Sequence, residues 1–126
     1  MLKMDNISPY KKENQVLILA FEFALEIIVY TEELENRRRF NMANQLFKSG
    51  TSIHANIREA QNAESKNDFI HKMKIAAKEA EETEGWLLLC KYSKSYPNPD
   101  QLLQKLVSIL KLLNKIISTA KQPLAN

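Results

Sequence analysis

The chain has few of the residues that bend, break or staple a backbone. Its 126 residues include two glycines and four prolines. The prolines, Pro9, Pro97, Pro99 and Pro123, all fall near expected helix ends or in the tails. An all-β domain needs many turns, so this scarcity argues against one and suits long helices. A single cysteine, Cys90, excludes an intramolecular disulfide. It reads as a reduced, cytoplasmic thiol packed as a small hydrophobe. Charge of one sign is scarce as well, with 18 basic and 15 acidic side chains and a net charge of +3. Residues 1–63 carry eight of each sign, and residues 64–126 carry ten basic against seven acidic. That balance permits a polyanion partner without demanding one. No apolar run reaches the roughly 20 residues that cross a bilayer. The longest candidate, Val16 to Tyr30, is apolar at 13 of 15 positions, and Glu22 and Glu26 interrupt it. A secretory signal would place a small-residue cleavage site after that run, but Thr31-Glu32-Glu33 follows. The expectation is a chain with no membrane or targeting segment, no repeat and no low-complexity tract.

What is present is helical periodicity. It predicts a single all-α domain over 1–126, an antiparallel up-down-up-down four-helix bundle with helices at about 8–35, 38–62, 65–95 and 99–121. Ser8-Pro9 supplies a cap and a first-turn proline for the first helix, and Asn36 reads as its left-handed stop. Two apolar stripes can be drawn on that helix. One is Leu17, Phe21, Ala24 and Ile28; the other is Val16, Ala20, Phe23, Ile27, Tyr30 and Leu34. The second helix follows Met42, Leu46, Ser49, Ile53, Asn56 or Ile57, and Ala60. Gly50 inside it marks a kink or a close approach by a neighbour, at about 1 kcal/mol of helix propensity. Ser65 caps the third helix with capping-box spacing to Asp68. Asn98-Pro99-Asp100-Gln101 opens the fourth. There, Leu103, Leu106, Leu110, Leu113, Ile117 and Ala120 form one line. Leu102, Ile109 and Ile116 form a second, with Ile109 facing outward. A lone bundle needs one stripe per helix. The doubled stripes on the first and last helices predict an assembly of copies.

Ser49-Gly50-Thr51-Ser52-Ile53, Ala55 to Ala60, Ser65 to Lys72 and Lys78 to Leu87 together resemble the four-helix-bundle family named for proteins encoded in intervening sequences of bacterial 23S rRNA genes. The match is specific over about 40 residues, while the outer helices match in pattern and length. Two positions depart from the family's pattern. His54 stands where the family often has Gly. Gly85 stands where an aromatic is common, so the surface beside Trp86 is expected to pack differently. The resemblance implies a left-handed bundle assembling as a ring, typically a homopentamer. It also implies kinship in architecture with the accessory protein of diversity-generating retroelements, which is associated with nucleic acid.

The chemistry-bearing residues are sparse. Asp68-x-x-His71 is the one approximation to the Glu-x-x-His pair of a di-iron bundle, and a second is missing. No nucleophile–base set and no glycine-rich phosphate loop can be read. The reading is a non-enzymatic protein with no catalytic residue, cofactor or metal. Arg37, Arg38 and Arg39 are the leading nucleic-acid candidates because guanidinium suits phosphate. Lys48, Arg58, Lys66 and Lys74 would extend a basic patch that a ring multiplies. Ser52, Asn56 and Glu59 share one face of the second helix. They read as a structural polar network that fixes the register against the third helix, with Lys72 opposite Glu59. Two functions remain open: a homo-oligomeric, RNA-binding or accessory protein, and a protein–protein scaffold without nucleic-acid contact.

Overall fold

The computed structural model describes residues 8–123. Among them lie four helices and no strand: α1 Gln15–Asn36, α2 Phe40–Ala60, α3 Lys66–Tyr92 and α4 Asp100–Lys121. Paired contacts fix their directions. Asn14 meets Gln61 while Ile27 lies against Gly50, so α2 descends as α1 climbs. Ser49 meets Thr83 and Glu59 meets Lys72, which sets α3 antiparallel to α2. Lys66 reaches the Gln122 carbonyl and Lys91 lies beside Asp100, which does the same for α4. Glu26–Lys105 and Tyr30–Pro97 close the square between α1 and α4. The bundle therefore has an arginine end, with residues 37–39 and 93–99, and an opposite end, with residues 8–14, 61–65 and 121–123.

The core is built from the periodic residues. All of Val16, Ala20, Phe23, Ile27, Tyr30 and Leu34 are buried, and they meet Leu46, Ile53, Ile57, Met73, Ala76, Ala80 and Leu87. On α4 both apolar lines turn inward. Leu102 and Ile109 join Leu106, Leu110, Leu113 and Ile117 in the core, and Ile109 is almost wholly buried. The expectation that Ile109 faces outward is therefore corrected. A helix at the corner of a square touches two neighbours, so its buried arc is wide enough to take both lines. Cys90 is buried too, and burial raises its thiol pKa despite the Tyr30 hydroxyl beside it. It packs as an inert core residue.

The helix ends follow local hydrogen bonding. The first helix begins at Gln15 and not at Ser8. The Ser8 hydroxyl is engaged locally, accepting the Tyr10 N–H, and Asn14 supplies the cap by accepting from the Leu17 N–H at 3.4 Å. Its left-handed stop is Arg38, with φ 62°, and not Asn36. The Arg39 N–H bonds the Leu34 carbonyl and the Arg38 N–H bonds that of Glu35. These bonds lock the helix terminus around a residue with a Cβ, at a cost of about 1 kcal/mol relative to glycine. The second helix opens at Phe40, just past that lock. Ser65 caps α3 as the spacing requires, its hydroxyl accepting from the Asp68 N–H at 3.0 Å. That helix stops at Tyr92, short of the expected 95, and Ser95 turns left-handed at φ 67°. The α4 helix starts at Asp100, one residue after the expected proline, with the Asn98 side chain accepting its N–H at 2.8 Å.

Gly50 lies within the continuous helix α2 and admits α1. A Cβ there would sit 2.8 Å from Ile27 Cγ1 and 3.0 Å from Cγ2. Gly85 has open space around it instead.

Candidate nucleic-acid interface

The seven basic candidates do not form one patch. Arg37–Arg39 sit at the arginine end. Arg58 and Lys66 lie near the opposite end, with Lys74 two turns along α3. A helix the length of α2 separates the ends by about 30 Å. Lys48 lies between them on α2, facing Glu79. Burial raises the Glu79 pKa first and Glu82 adds to it, with Lys48 opposing. Lys66 donates to the Gln122 carbonyl at 3.3 Å. Lys74 approaches Lys121, whose amine lowers the Lys74 pKa through a hydrogen bond and repulsion. Lys66 and Lys121 both suit the negative C-terminal end of α4.

Within the arginine triplet the three side chains differ in freedom. Arg37 donates to Glu33 at 3.0 Å and to the Ser95 carbonyl at 3.1 Å, tying the two loops of that end together. Arg39 stacks on the Tyr96 ring with its guanidinium carbon 5.2 Å from the centroid, and its Nε is buried without a partner. Arg38 projects from the left-handed corner, exposed. Among the described residues it has no ion pair or side-chain hydrogen bond. The triplet thus offers one free guanidinium and two that serve the turn.

The polar face of α2 is mostly self-contained. The Ser52 hydroxyl donates to the Lys48 carbonyl at 2.6 Å, and the Asn56 amide donates to the Ser52 carbonyl at 2.8 Å. Both bonds stay within their own helix. Only Glu59 crosses, pairing with Lys72 at 3.3 Å. Its side chain is 59% exposed, so the pair contributes at most about 1 kcal/mol. The polar link that is fully buried between α2 and α3 lies one turn away, where the Ser49 and Thr83 hydroxyls are 2.9 Å apart.

A family model for the 23S rRNA-intervening sequence protein matches residues 12–115. The chain belongs to that family. A crystal structure of a protein of unknown function from the S23 ribosomal protein family, from Bacteroides thetaiotaomicron VPI-5482, is similar. It is 42% identical, with a TM-score of 0.77, over 81% of this chain and 97% of that one. No curated protein matches the chain. Neither the family's description nor that neighbour names an activity.

This intervening-sequence protein carries a feature that its sequence pattern did not announce. Residues 8–14 fold back over the α1–α2 seam. The Tyr10 hydroxyl lies 2.6 Å from Nε2 of His54, and the Tyr10 ring meets Phe21 edge-on at 5.6 Å. His54, the departure from the family pattern, thus has a specific partner 44 positions away. Burial lowers its pKa, and the Arg58 charge adds to the effect. Both effects favour the neutral imidazole. Asn14 completes the strap by donating to Gln61 at 2.9 Å. The second departure, Gly85, leaves open surface near Trp86, whose indole reaches Glu82 at 3.5 Å. Among the described residues no three metal-ligating side chains converge, and no helix is long and apolar enough to cross a membrane.

Proposed function

We propose that this protein is a non-enzymatic homo-oligomer that serves as a weak nucleic-acid-binding or accessory module in the cytoplasm. The observation that carries this reading is the placement of exposed apolar side chains. Phe47, at 49% exposure, lines the outer groove between α1 and α2 with Thr31 and Ala43, and Ile28 and Phe40 on the same two helices are 36% and 50% exposed. Val107, at 42%, lines the groove between α3 and α4 with Lys91 and Leu103, and Leu88 of α3 is equally exposed. These grooves lie on opposite flanks of the square. Two unlike patches on opposite flanks suit head-to-tail contact between copies, which closes into a ring when the rotation allows. Five is the ring size implied by the family resemblance. The exposed apolar residues lie on all four helices and not on α1 and α4 alone.

An assembly multiplies weak cationic contacts. Arg38 is the member of the triplet with a free guanidinium, and one copy per protomer around a ring presents a repeated phosphate contact. Retardation of a single-stranded RNA at low and moderate salt tests this. The parent protein is expected to bind weakly, without sequence preference, and to release RNA as salt rises. Arg38→Glu is expected to remove most of that binding without unfolding the bundle. Changing all three arginines is a poorer test than the sequence suggested, because Arg37 and Arg39 hold the turn. If Arg38→Glu binds as the parent does, the opposite end with Arg58, Lys66 and Lys74 carries the contact. If the parent shows no retardation at low salt, the scaffold reading replaces this one. That two of the three arginines are occupied is the observation favouring it.

A further inference from the structure

A cavity of about 640 Å³ lies at the opposite end of the bundle from the arginine turn. The strap forms one wall with Pro9, Tyr10, Lys11 and Glu13. Leu17 of α1 and Arg58 and Asn62 from the end of α2 complete the lining. Its volume falls within the range of small-molecule sites, about 300–1,000 Å³. The polar lining divides by availability. Asn14 and Gln61 are committed to each other, and to the α1 cap and the Ile57 carbonyl respectively. Lys11, Arg58 and the Asn62 amide have no side-chain hydrogen bond or ion pair among the described residues. The cavity therefore combines a flat apolar part, two free cations and one free amide, with Glu13 as its one carboxylate.

We propose that this cavity binds a nucleoside 5′-monophosphate unit. The base packs against the Tyr10 ring and Leu17, since aromatic side chains stack on any base. The phosphate pairs with Arg58, whose planar fork matches phosphate oxygens, and with Lys11. Asn62 offers a donor and an acceptor to the sugar or base edge. The Tyr10–His54 hydrogen bond holds the ring in place as part of the wall. This inference goes beyond the nucleic-acid reading and does not depend on it, because Arg38 lies at the other end of the molecule. The same chemistry has two sources, a free mononucleotide and the 5′-phosphorylated end of a strand.

The test uses the full chain, with binding followed by calorimetry and by the His54 imidazole resonances. The probes are AMP, adenosine, and a short adenylate oligonucleotide with either a 5′-phosphate or a 5′-hydroxyl. AMP is expected to saturate at up to millimolar concentration and to shift the His54 signals. Adenosine is expected to bind about tenfold more weakly or not at all, since it lacks the charge-assisted bonds. Arg58→Gln should weaken AMP by a similar factor while leaving the melting temperature unchanged. Tyr10→Phe keeps the stacking ring and should retain binding, whereas Tyr10→Ala should lose it. Binding of only the 5′-phosphorylated strand, lost in Arg58→Gln, supports the site and assigns it to strand ends. The proposal is overturned if neither AMP nor the phosphorylated strand binds, if adenosine matches AMP, or if Arg58→Gln binds as the parent does.

Discussion

The two ends of this bundle use their basic residues in opposite ways. At one end a run of three arginines is largely consumed by the fold. Arg37 ties two loops together, Arg39 lies on Tyr96, and the backbone of Arg38 forms the lock that ends α1. At the other end a lone arginine, Arg58, stands beside an open cavity with no partner among the described residues. The conspicuous cluster is mostly architecture, and the inconspicuous residue is free. A cation's availability depends on what the turn around it requires, which a count of neighbouring charges does not reveal.

The two glycines show the same distinction inside the helices, and they give the largest expected effect. Gly50→Ala places a methyl group against Ile27, a fully buried side chain. Overpacking costs about 1–3 kcal/mol, against about 1 kcal/mol regained in helix propensity. Gly85→Ala meets nothing and should gain that propensity outright. The two variants should therefore move the melting temperature in opposite directions, by about 4 °C per kcal/mol. A rise for both would show that the α1–α2 seam has slack.

Next in size is the contrast within the arginine turn. Arg39→Ala removes the stack on Tyr96 and the packing of its stem, and should cost about 1–2 kcal/mol. Arg38→Gly should stabilise by about 1 kcal/mol, because glycine adopts the left-handed corner freely. Denaturant midpoints for the two variants check this. Equal, near-zero changes would mean that the turn is not held as described.

The smallest effect concerns the strap. The His54 pKa is depressed in the folded chain, so between that value and its ordinary value near 6.5 the unfolded state binds more protons. Stability should therefore be fully present above about pH 6.5 and fall as the pH drops through the folded value. His54→Gln should remove that part of the slope. A melting temperature whose decline from pH 7.5 to 5 is the same in both proteins would contradict the assignment.

Much of this arrangement is legible in the sequence where the determinants are local. The stripe from Val16 to Leu34 and the Ser65 cap can be read because periodicity and capping act within a few residues. Ile109 was misplaced because a corner helix buries a broad arc, and two adjacent apolar lines do not say where that arc is centred. The start of α1 was misplaced because Ser8-Pro9 has the form of a helix start, while its hydroxyl serves Tyr10 and the chain turns toward His54. No spacing rule links positions 10 and 54. Arg38 at positive φ is likewise unmarked, since the hydrogen bonds that compel it come from the chain's need to reverse within three residues. The cavity is built by the strap and the α2 terminus together, so its lining is scattered between residues 9 and 62.

The proposed assembly requires copies of the chain to cover one another's apolar flanks. Light scattering on the purified protein at micromolar concentration tests this directly, with Phe47→Lys measured beside the parent. The parent mass is expected to be a fixed multiple of the 14.6 kDa chain. Phe47→Lys is expected to give a smaller species with its helical content intact, because Phe47 is exposed in the single chain. A soluble, monodisperse parent of one chain's mass would contradict the proposed assembly.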